Sequence, residues 1–185
     1  MNWGQQPVRL TAWLSDALPA DAPTTSVHIV GLYESRLLIV RDRKGIYGFP
    51  GGRLDPGESR EEAMDREVYE EANAYVEPGY TLYAVIKIEY TRRLPNRTYP
   101  NEYSYLAMYA GHIDRLDPFN GDPAGIILER ALFTREECDR HLLRHDRVLL
   151  REGIDALVRR GSAEARNFLA AGDPVERSGG DVGAA

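Results

Sequence analysis

The chain has 185 residues, a formal net charge of −6 and 43% hydrophobic residues, which suits one domain with a single core. The acidic balance argues against nonspecific nucleic-acid binding, and no apolar run approaches the roughly 20 residues needed to span a bilayer. Its one cysteine, Cys138, excludes an intrachain disulfide; with no basic start followed by an apolar run, a soluble cytoplasmic protein is expected.

Residues 1–24 read as an N-terminal extension. Leu10, Trp13, Leu14 and Leu18 have the spacing of a short helix, covering either the core or a second copy of the chain, so a homodimer is left open. Residues 25–33 and 36–41 read as strands joined by a tight hairpin at Glu34-Ser35. Asp42 to Gly45 turns the chain into a loop, Tyr47 to Gly52, whose paired glycines allow close backbone approach.

A helix is predicted over about 59–73. Ser59 and Glu62 make a capping box, and Met64, Val68 and Ala72 form an apolar stripe. Asn73 suits a left-handed helix stop. On a different side of that helix lie Glu67, Glu70 and Glu71, next to Arg66. Carboxylates so crowded repel one another unless positive charge sits among them, and hard cations such as Mg²⁺ or Mn²⁺ prefer such oxygens. A solvated acidic face is the plainer alternative.

Short strands follow at 75–76 and 81–91. The loop 92–101 is basic and interrupted twice by proline, and strands follow at 101–113 and 126–133. Thr134 and Glu137 repeat the capping box before a helix to about His145, and a last amphipathic helix ends at Arg160. Residues 161–185 read as a flexible tail. Strands before and after a central helix, with helices at the end, make a mixed sheet packed between helices in an α/β domain over 25–160.

The run Gly52, five residues, Glu58, seven residues, then Arg66-Glu67-Val68-Tyr69-Glu70-Glu71-Ala72-Asn73-Ala74 resembles the signature of the Nudix hydrolases. Tyr47-Gly48-Phe49-Pro50-Gly51 is similar to the family's lead-in. Asn73 and Ala74 depart from it, standing where a glycine and a bulky apolar residue are usual; neither departure removes an acid or base.

The resemblance implies a Nudix-like α/β/α sandwich and Mg²⁺- or Mn²⁺-dependent hydrolysis of a small nucleotide-like phosphoanhydride, such as a nucleotide polyphosphate, dinucleoside polyphosphate or nucleotide sugar. It implies Glu67 and Glu71 as direct metal ligands, with Glu70 and the Gly51 carbonyl beside them. Arg66 would pair with a glutamate, and Glu58 would support the site from behind. Glu70 is the first choice of general base, with Glu129 and Glu102 as later candidates for base or extra ligand. Tyr90, Arg92, Arg93 and Arg97 are candidate substrate contacts, with Tyr99 and Tyr103 beside them; Tyr90 stands where a tyrosine accompanies dinucleoside polyphosphate hydrolases. Two other readings on the same scaffold are weighed. A catalytically silent nucleotide sensor would commonly have lost these carboxylates. An isomerase of prenyl diphosphates would need a cysteine at the site.

Overall fold

A computed structural model describes residues 2–3, 6–21, 23–92 and 102–171. The strands are β1 (Asn2–Trp3), β2 (Gln6–Leu14), β3 (Thr24–Tyr33), β4 (Arg36–Asp42), β5 (Tyr47–Gly48) and β6 (Gly51–Arg53), followed by helix α1 (Arg60–Ala72). Then come β7 (Ala74–Val76), β8 (Thr81–Tyr90), β9 (Tyr103–Leu116) and β10 (Ile127–Phe133). The chain closes with α2 (Arg135–His141), α3 (Arg144–Arg159) and α4 (Ala163–Ala170).

The main sheet runs β1-β2-β8-β9-β3-β4-β10. Its central pair, β3 and β9, is parallel, with Val27 opposite Ala107 and Ile29 opposite Tyr109; the other pairings are antiparallel. On one face α1 presses Ala63, Met64, Val68 and Ala72 onto Val27, Ile29 and Leu38. On the other, α3 and α4 bring Leu150, Ile154, Leu157 and Phe168 onto Val30, Leu32 and Leu37. This is the expected sandwich. With helices on both faces, β9 is buried at consecutive residues from Ser104 to Gly111 rather than alternately. Among the described residues no helix is long and apolar enough to cross a membrane.

Local signals placed several joints well. Glu34 and Ser35 both take positive φ (49° and 59°), as a two-residue hairpin turn requires. Ser59 and Thr134 cap α1 and α2 with reciprocal capping boxes, and Asn73 takes the left-handed stop (φ 46°).

Two expectations are corrected. Residues 6–14 form strand β2 rather than a helix, because pairing with β8 from Val8–Tyr90 to Leu14–Ala84 supplies a ladder that local spacing cannot foresee. The supposed apolar helical face is then split: Leu10 packs on the core, while Trp13 and Leu14 stay 37% and 57% exposed. Beyond residue 160, where a flexible tail was expected, α4 forms behind its cap Ser162 and buries Ala165 and Phe168. Alanine, which made that stretch look low in complexity, is also the best helix former. One boundary also differs: α2 ends at His141 rather than near His145, so α3 starts at Arg144.

Candidate active site

The site begins with a turn held tightly against the sheet. Gly51 and Gly52 pair with His28 and Val27 of β3, and the Pro50 carbonyl accepts the Ile29 N–H at 3.1 Å. His28 Nδ1–H donates to the Phe49 carbonyl at 3.1 Å, and burial lowers the pKa of this imidazole. His28 thus pins the loop from beneath, a role not legible in the sequence because it depends on strand register. Gly51 adopts φ 135°, and a Cβ there would strike the Val27 carbonyl. At Gly52 a Cβ would fall on the Glu67 carboxylate itself. The paired glycines therefore make room for an acid.

Helix α1 delivers the acids to that turn. Glu71 Oε2 accepts the Gly51 N–H at 3.0 Å, and the Glu67 carboxylate lies against Gly52. Arg66 lies between the helix and the loop. Its Nε and Nη2 grip the two oxygens of Glu58, both at 2.8 Å, while Nη2 also donates to the Arg53 carbonyl at 2.8 Å. Nη1 reaches Glu67 at 2.9 Å and Glu70 at 3.5 Å. Glu58 is thus a forked partner of Arg66, further fixed by the Asp55 N–H at 2.8 Å.

The charges are unevenly compensated. The Arg66 guanidinium, helped by the Asp55 N–H, holds Glu58 down at about 2. Glu67 is shifted upward by burial despite Arg66. Glu71 is pushed up to about 8: burial outweighs the Gly51 N–H, and the charges of Glu67, Asp122 and Glu70 add to it. Asp122, in the loop before β10, was not singled out from the sequence. Three backbone N–H groups, of Ala124, Ile126 and Ile127, hold its carboxylate.

Four glutamates around one guanidinium leave an excess of negative charge. The oxygens of Glu67, Glu70 and Glu71 and the neighbouring Gly51 carbonyl are the hard donors that Mg²⁺ or Mn²⁺ takes, and among the described residues no cationic side chain pairs with half-buried Glu71. The donor chemistry fits such an ion. Here the side chains lean on Arg66 and the Gly51 N–H instead, and among the described residues no three His, Cys, Asp or Glu side chains converge as a ready ligand set.

The remaining candidates have other partners. Glu129 pairs with Arg41 at 2.7 Å, because the two face each other across β10 and β4. Tyr90 and Glu102 line a cavity of about 470 Å³ with Lys87, Glu89 and Tyr103, on β8 and the start of β9. Strands β3 and β9 separate β8 from the Gly51 loop. Arg92 is exposed, whereas Arg93, Arg97 and Tyr99 lie outside the described residues. Cys138 is buried in α2, with its thiol pushed up to about 12 by desolvation, and is remote from this chemistry.

Comparison with known proteins agrees with this geometry. Residues 22–151 match the NUDIX domain. A curated "Putative 8-oxo-dGTP diphosphatase" of Bacillus subtilis (strain 168) is 44% identical over 50 residues, 26% of this chain and 34% of the relative, so the match spans about a third of that relative's length. Among solved structures, the B. subtilis pyrophosphohydrolase BsRppH superposes with a TM-score of 0.53 at 22% identity, over 67% of this chain and 72% of that one. A MutT NUDIX hydrolase from Burkholderia pseudomallei gives 0.52 at 20% identity, over 71% and 98%. At these identities the structural likeness concerns the fold.

Proposed function

Since the chain belongs to the Nudix hydrolase family, we propose that it is a divalent-metal-dependent pyrophosphohydrolase acting on a nucleoside diphosphate linked to a further group. The observation that carries this reading is the seating of Glu71 and Glu67 against the Gly51–Gly52 turn, with Arg66 bridging Glu58, Glu67 and Glu70 and every acid and base of the signature intact. The names of its relatives, a diphosphatase and a pyrophosphohydrolase, support the same reaction class.

Hydrolysis of a phosphoanhydride brings water to a phosphorus shielded by anionic oxygens. A bound Mg²⁺ or Mn²⁺ supplies charge neutralisation, polarises the phosphoryl group and makes water more acidic. Glu67 and Glu71 would hold that ion with the Gly51 carbonyl, and Glu70, whose side chain is 41% exposed against 15% for Glu67, would accept a proton from water. Arg66 fixes Glu67 through its 2.9 Å contact. Glu58 fixes Arg66 in turn.

The test is hydrolysis of a panel of nucleotide sugars, dinucleoside polyphosphates, ADP-ribose and oxidised nucleoside triphosphates with Mg²⁺, Mn²⁺ or a chelator, and identification of the products. Metal-dependent release of a nucleoside monophosphate is expected for at least one class. Tight nucleotide binding without turnover under any metal would favour a sensor instead.

A further inference from the structure

Helix α1 ends under electrostatic strain. Its last turn holds no basic residue, yet the carbonyls there form the negative end of the helix dipole, and Glu70 and Glu71 sit beside them. The compensating cation arrives from 58 residues further along the chain. Arg130 of β10 directs Nη1 at the carbonyls of Ala72 (2.8 Å), Asn73 (3.3 Å) and Asp117 (2.8 Å), with its guanidinium 5.8 Å above the Phe119 ring. Asn73 works on the same joint: its Oδ1 accepts the Asn120 N–H at 2.9 Å and its carbonyl accepts the Asp117 N–H at 2.9 Å. Together they bind the end of the acidic helix to the segment that leads to Asp122.

We propose that Arg130, assisted by Asn73, is a positioning residue for the acidic site, clamping the end of α1 to residues 117–120 so that Glu71 stays directed at the Gly51 loop and Glu70 at Arg66. This rests on the reading of those glutamates as the seat of a divalent cation. It also gives Asn73 a purpose: the side chain that replaces the usual glycine adds a tie that glycine lacks, at a left-handed position asparagine tolerates. Nη1 offers two hydrogens to three carbonyls, and a lysine ammonium has three to offer. Lysine can therefore replace the clamp, whereas methionine, similar in length but uncharged, cannot.

The experiment compares wild type, Arg130→Met and Arg130→Lys by amide hydrogen exchange and by Mn²⁺ titration followed by electron paramagnetic resonance, with kcat and KM on any substrate found. Measurements are made well below each variant's melting temperature. For Arg130→Met, exchange at Tyr69–Asn73 should quicken, Mn²⁺ affinity should fall by about tenfold, the lower end of what supporting residues contribute, and kcat should fall more than KM changes. Arg130→Lys should recover most of each effect. Unchanged exchange in Arg130→Met overturns the proposal. Faster exchange with unchanged Mn²⁺ affinity and kcat also overturns it, leaving only a structural cap. If Arg130→Met does not fold, Asn73→Gly carries the test, with a smaller effect in the same direction; unchanged exchange there overturns the proposal as well. If the wild type binds no Mn²⁺, the metal reading fails separately, and faster exchange in Arg130→Met with unchanged kcat then overturns the positioning role as well.

Discussion

Arg66 carries one positive charge among Asp55, Glu58, Glu67 and Glu70, at 3.9, 2.8, 2.9 and 3.5 Å. Glu71 is left with a single backbone N–H. That asymmetry makes Glu71 the residue at which metal binding and stability are most opposed. Glu71→Gln should leave the fold intact, raise the melting temperature of the metal-free protein and cut metal-dependent turnover by orders of magnitude; near-normal turnover would refute the assigned role. A second residue, far from the site, gives a cleaner stability test. The Tyr83 hydroxyl is buried beneath α3 and has no hydrogen-bond partner among the described residues. An unmet buried hydroxyl costs about 1–3 kcal/mol, so Tyr83→Phe should be neutral to stabilising in chemical denaturation. A loss above about 1 kcal/mol would contradict the description of that hydroxyl.

At the scale of elements, α1 depends on its ends. Ser59 Oγ accepts the Glu62 N–H at 3.2 Å while Glu62 returns to the Ser59 N–H at 2.9 Å. Ser59→Ala should therefore cost about 1 kcal/mol, readable as a drop of a few degrees in melting temperature. The same element shows what a sequence can and cannot disclose. Ser59, Asn73 and the glycines act on near neighbours, so their roles were readable from order alone. Arg130 acts on Ala72 and Glu129 pairs with Arg41, contacts set by which strands lie side by side. For the same reason the sequence suggests a helix at β2: only the partner strand puts Leu10 and Trp13, one helical turn apart, on opposite faces of a sheet. Helix α3 is a further case. Gly153 brings it so near the sheet that a Cβ would lie 3.1 Å from Val30 Cβ and 3.2 Å from Tyr83 Cζ. Alanine is the better helix former by about 1 kcal/mol, yet overpacking costs about 1–3 kcal/mol. Gly153→Ala should thus destabilise; a stabilised variant would mean that α3 can shift outward freely.

For the molecule as a whole, the acidic site links stability to pH and to metal. Glu71 has a folded pKa of about 8 against an ordinary value of 4.5, so between these limits the folded state binds the extra proton. Its contribution to stability is therefore best at low pH and declines as pH rises from about 4.5 to about 8. Glu58, held at about 2, acts oppositely: its contribution is complete above 4.5 and is lost as pH falls towards 2. A divalent ion needs Glu71 deprotonated, so the gain in melting temperature from saturating Mg²⁺ should grow between pH 6 and pH 8. A gain that is flat or shrinking across that window would argue that Mg²⁺ binds elsewhere. The fold supports this arrangement by burying the back of α1 on the sheet and leaving its acids to the Gly51–Gly52 turn that pairs with β3.

The central claim is that the acids around Gly51 and Gly52 seat a divalent cation. It is met most directly by titrating Mn²⁺ into wild type and Glu71→Gln and counting free ion by electron paramagnetic resonance. The account predicts saturable binding in the wild type and binding weakened by at least about tenfold in Glu71→Gln. Equal binding by the two proteins, or none by either, would contradict it.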